Sequence, residues 1–126
     1  MNQFKKRNNP PYKPKLDMAR AVESGIDQNF IEQVESFARS LSTSNSQLRN
    51  IFTAVKRIEE HGYDKEKFLM LKPRLAYAAS RGRLGNLKEV LSPAIDTVEK
   101  AKDDDEREAR FKRFCLCCEA IVGYAR

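Results

Sequence analysis

From Asp27 onward, apolar side chains recur every three or four residues, and no window shows the alternation of a half-buried strand. That period confines the chain to helices that bury one stripe each. Phe30, Ile31, Val34, Phe37, Ala38 and Leu41 form the first stripe, with Asp27 placed to cap its helix. Leu48, Ile51, Phe52, Val55 and Ile58 form the second; Ser44 and Gln47 fit a capping box before it, and Gly62 is a stop. A third helix is predicted over 65–81, with Phe68, Leu71, Leu75, Ala78 and Ala79 inward and Gly82 at its end. Pro73 removes an amide there, which predicts a kink or a restart.

A fourth helix begins near Asn86 or Leu87, is expected to break at Ser92–Pro93, and continues through Ile95 and Val98. The last starts at the acidic run Asp103 to Glu106, where negative charge complements the helix dipole. Its stripe is Phe111, Phe114, Cys115, Cys118, Ile121, Val122 and Ala125, and from Phe114 to Ala125 the only charge is Glu119. A helix apolar nearly all round is central or faces a second molecule. The expected fold is all-α, a single compact bundle of about five helices over residues 21–126. A flexible basic arm, residues 1–20, precedes it, because prolines and basic residues there leave little apolar surface to bury.

Charge is segregated along this framework. Net charge is +5 over residues 1–20, −3 over 21–46, +6 over 47–88 and −2 over 89–126. A positive excess confined to the arm and one central segment points to a polyanionic partner. The cations of that segment repeat at helical spacing. Arg49 and Lys56, seven residues apart, lie within about 20° of each other on one helix edge, and Thr53 lies between them. Arg74 and Arg81 repeat the spacing on the next helix, about 10.5 Å apart along its axis, with Tyr77 beside them. Arginine forks match phosphate oxygens. Lys72 lies on the opposite flank, Arg83 follows the helix, and Arg57 points away from the Arg49–Lys56 edge. The plainer reading is that these are the solvated edges of amphipathic helices.

Catalytic material is scarce. His61 is the one histidine and reads as a helix-end residue. Cys115 and Cys118 form a C-x-x-C spacing, but it lies mid-helix on an apolar stripe, where small buried hydrophobes are the simpler reading. The run Asp103 to Glu106 lacks the glycine and ligand spacing of a calcium loop, and the five glycines form no phosphate-cradling loop. No catalytic residue, metal site or cofactor is assigned. No apolar run is long enough to span a membrane, so a cytoplasmic protein is expected.

Three segments, "SQLRNIFTAVKRI", "FLMLKPRLAYAASR" and "FKRFCLCCEAIVGYAR", resemble in this order the small helical subunit of type III-A CRISPR interference complexes, the Csm complex. The likeness covers residues 44–126. It implies a non-enzymatic antiviral subunit present in several copies along a ribonucleoprotein filament. Such a subunit contacts the guide RNA–target RNA duplex, chiefly the target-strand backbone, without reading sequence. Its neighbours would be other copies of itself, the guide-binding backbone subunits and the large signalling subunit. On that likeness the first candidate RNA-binding residues are Arg49, Lys56, Arg74 and Arg81, with Lys72 and Arg83 ranked lower and Arg57 lower still. Two other readings of the same residues stand beside it. One is a helical protein–protein assembly module whose basic face is incidental. The other is a helix-turn-helix DNA regulator, which the proline and alanines of the third helix disfavour.

Overall fold

The computed structural model describes residues 16–126, which form a bundle of seven helices with no strand. They are α1 (Met18–Ser24), α2 (Gln28–Ala38), α3 (Ser46–His61), α4 (Lys65–Leu69), α5 (Leu71–Arg81), α6 (Gly85–Glu99) and α7 (Asp104–Tyr124). Residues 1–15, most of the expected arm, lie outside the described residues. The arm's boundary at residue 20 falls inside α1, so residues 16–20 belong to the bundle. Leu16, Met18, Ala21 and Val22 are buried, and Asp17 caps the helix through the Arg20 amide at 3.0 Å.

Side-chain caps set most helix starts. Asp27 accepts from the Phe30 amide at 2.8 Å, as the sequence predicts, and Asp103 accepts from Glu106 at 2.8 Å. Glu106 in turn accepts from the Lys102 amide, which holds its carboxyl below the usual carboxylate range, with Arg110 adding to the effect. The start of α3 differs from the expected Ser44–Gln47 box. Asn45 is the cap, its oxygen accepting from Gln47 and Leu48 at 2.8 and 3.2 Å. Its amide also donates to the Gly82 carbonyl at 2.9 Å, a second bond that a serine hydroxyl is too short to add.

The two prolines act in opposite ways. Pro73 is the third residue of α5, within the first turn, where a missing amide costs little. The expected single helix over 65–81 is therefore split at Met70, and the chain restarts. Pro93 lies inside an unbroken α6, contrary to the expected break. Its ring and Glu89, whose carbonyl loses a donor, are both exposed, so water can take that bond. The split at Met70 and the added α1 account for seven helices where about five are expected.

α7 is the central element, packed against α1, α2, α3 and α6, while α6 packs against α1, α5 and α7. Phe68 of α4 is fully buried, with its ring 5.0 Å from Phe114 and 5.5 Å from Phe111, both edge-on. Tyr63 joins the cluster 5.5 Å from Phe111, and its hydroxyl donates to Glu99. Arg113 of α7 reaches back to α1, donating to the carbonyls of Val22 and Glu23 at 2.6 and 3.0 Å.

Cys115, Cys117 and Cys118 are free and buried. Burial pushes the Cys115 and Cys117 thiols up to about 12, and Cys118 is also raised. The thiolate is the reactive form. Alkylation of the native protein at pH 8 is therefore expected to track unfolding, as a mass-shift time course with and without denaturant would measure. Above about pH 8.5, the unfolded chain loses these protons first. The folded chain keeps them until about pH 12, so the thiols lower stability progressively across that window.

α3 and α5 meet closely at one end. A methyl group at Gly82 would lie 2.7 Å from Gln47 Cβ and 2.9 Å from its Cγ. Gly82→Ala is expected to cost about 1–3 kcal/mol in urea denaturation, because an atom at the root of the Gln47 side chain must move.

Candidate nucleic-acid interface

Two grooves run along the flanks of α3, and Thr53 lines both. The first, of about 600 Å³, lies between α3 and α7. Leu48, Phe52, Val55, Cys115, Cys118 and Val122 make it largely apolar, with Arg49, Lys56, Glu59 and Glu119 among its polar lining. The second, of about 1070 Å³, lies between α3 and the α4–α5 pair. Arg57, Lys67 and Arg74 line it with Asn50, Met70 and Tyr77.

This arrangement divides the cations that the sequence picks out. Arg49 and Lys56 do share an edge, but both are engaged. Arg49 donates to the carbonyls of Thr43 and Ser44 at 3.1 and 2.9 Å, and Lys56 pairs with Glu59 at 3.6 Å. Lys72 is tied to Asp96 at 2.7 Å, so it joins α5 to α6. Arg74 is exposed in the second groove, and Arg81, one turn beyond Tyr77, holds its guanidinium 5.7 Å from the centre of that ring. Arg83 stands at φ 59° in the turn after α5, where the Leu84 amide bonds the Ala78 carbonyl at 3.3 Å. Gly82 caps the end of α5 as the sequence predicts, and the left-handed residue of the turn is Arg83.

Arg57, which ranks low on sequence because it points away from Arg49 and Lys56, lines the second groove from α3, as Arg74 does from α5. Lys67 also lines it, a residue that the paired spacing of Arg74 and Arg81 leaves out. A signal for it exists: Lys67, Arg74 and Arg81 are each seven residues apart. None of Arg57, Lys67, Arg74 and Arg81 forms an ion pair among the described residues. Asp64 is the one acid lining this groove, and its carboxylate caps α4 by accepting from the Lys67 amide at 3.1 Å. Unneutralised cations at this spacing make a positive trough, and its field attracts a polyanion.

His61 is the last residue of α3 and exposed, with Nδ1 2.9 Å from the Arg57 carbonyl. Among the described residues, no group of three or more His, Cys, Asp or Glu side chains is placed to hold a metal ion. No described helix is long and apolar enough to cross a membrane.

A family model described as Csm2 Type III-A matches residues 26–126, four-fifths of the chain. The chain belongs to the Csm2 Type III-A family. It is thus a small subunit of the type III-A CRISPR–Cas complex, in a family of structural subunits that assemble with the other Csm proteins. No curated protein and no solved structure matches it. The Csm2 match takes in α2 to α7, and therefore both flanks of α3 and every cation of the trough. It starts after α1, which is nevertheless part of the same core.

Proposed function

We propose that this Csm2-family chain is a non-catalytic subunit that holds the guide–target RNA duplex by its sugar-phosphate backbone, mainly on the target strand, and steadies the effector filament. Base pairing would supply specificity in such a complex, while the protein supplies charge and shape. The carrying observation is the convergence of Arg57, Lys67 and Arg74, none in an ion pair among the described residues, on one groove with Arg81 at its rim. Arg49, Lys56, Lys72 and Arg83 become secondary contacts. The first three must give up partners they already hold, and Arg83 lies past the end of α5. Other copies, the guide-binding backbone subunits and the large signalling subunit are the expected neighbours, in the cytoplasm. The absence of a role in catalysis is supported by thiols held protonated and a histidine placed at a helix end.

RNA titrations at several salt concentrations test this reading. Charge reversal at Arg74 should weaken binding and flatten its salt dependence, while reversal at Arg49 should do less. Unchanged affinity and slope in both variants would overturn it. A second reading has its own observation, the apolar groove between α3 and α7. If that face drives assembly and the charge is incidental, light scattering will show concentration-dependent association that RNA does not alter.

A further inference from the structure

Tyr77 lines the basic trough yet is 54% exposed, and Met70, which lines it too, is 55% exposed. Neither belongs to the core, so Tyr77 is not the packing residue that an aromatic on an alanine-rich helix can be. It lies between Arg74 and Arg81 in sequence, one turn from each. Arg81 already rests on the ring, and half of the residue's surface still meets solvent. The amide side chains of Gln47 and Asn50 line the facing wall on α3. An exposed aromatic with a cation on either side along the helix, opposite hydrogen-bonding amides, has the components of a single-strand site. Such sites pair a π-face for the base with positive charge for the flanking phosphates.

We propose that the α3–α5 trough takes an unpaired nucleotide of an RNA strand, its base stacked on Tyr77 and its flanking phosphates held by Arg74 and Arg81. The inference rests on the backbone-binding reading and adds a contact that a fully paired duplex does not make. Stacking is tolerant of sequence because every base offers a π-face, so this contact keeps the subunit sequence-neutral. Asn50 and Gln47 are amides that both donate and accept, which suits any base edge turned toward them.

The test uses the full chain and a short single-stranded RNA carrying one fluorescent adenine analogue, against a blunt RNA duplex of equal length. Binding of the single strand should quench the analogue. Tyr77→Ala should lower single-strand affinity by about 5- to 150-fold and abolish the quench, while duplex affinity changes little. Tyr77→Phe, which keeps the π-face, should retain both. Because the residue is half-exposed, the unfolding midpoint of Tyr77→Ala should match that of the parent. Equal single-strand affinity in Tyr77→Ala and the parent would overturn the stacking contact. If Arg57→Glu and Arg74→Glu still weakened binding in that case, the backbone reading would survive alone. Loss of self-association in Tyr77→Ala, with RNA affinity intact, would assign the ring to a protein contact and overturn the proposal. No RNA binding by the parent chain would overturn both.

Discussion

Reversing Arg57 and Arg74 together to glutamate is expected to lower RNA affinity by at least about a hundredfold, from about 1.5 kcal/mol or more for each charge-assisted contact. Both residues line one groove from opposite helices and neither has an acidic partner among the described residues, so each loses its role without releasing a buried charge. The salt dependence should report the same loss, with the slope of log affinity against log salt falling by about one unit for each phosphate contact removed. Lys56→Glu is the informative control. It removes a cation already paired with Glu59, and it faces the other groove. If Lys56→Glu were as damaging as the double reversal, charge alone and not the trough would govern binding. Circular dichroism should be unchanged throughout, since all three side chains are exposed.

Phe68→Ala should destabilise the bundle more than any of the other substitutions, costing about 3–5 kcal/mol in a urea titration. Phe68 is fully buried and meets Phe114 and Phe111 edge-on, with Tyr63 at 5.8 Å. Its helix has five residues, far fewer than a free helix needs, so tertiary packing must hold it. The ring anchors α4, and α4 carries Lys67 into the trough. A loss below about 1 kcal/mol would show that the cluster repacks without the ring.

The residues that pack are legible in the sequence because a helical stripe depends only on local spacing. Phe30, Val34, Leu48, Ile51, Phe68, Leu75, Phe111 and Phe114 are all buried where their period places them. What spacing does not carry is which helices become neighbours. The direction of Arg57 on α3 alone counts against it, and only the docking of α5 turns that direction into a shared groove. Lys72 looks available for the same reason, since its partner Asp96 lies on another helix. Lys56 looks available only while Glu59, one turn along its own helix, is left out of account. Pro93 misleads because a proline's effect depends on whether water reaches the carbonyl it leaves unpaired, and that is a property of the folded surface. Asn45 takes the capping role from Ser44 and adds a bond to Gly82, 37 residues away.

Arg113 grips the carbonyl end of α1 across 91 residues of chain. During synthesis, the apolar face of Met18, Ala21 and Val22 therefore leaves the ribosome long before its clasp exists. Long-range closures of this kind form late, and the surfaces awaiting them are exposed to aggregation in the interval. The bundle can close only once α7 has emerged, so a chain stalled before Arg113 would hold an unclasped first helix.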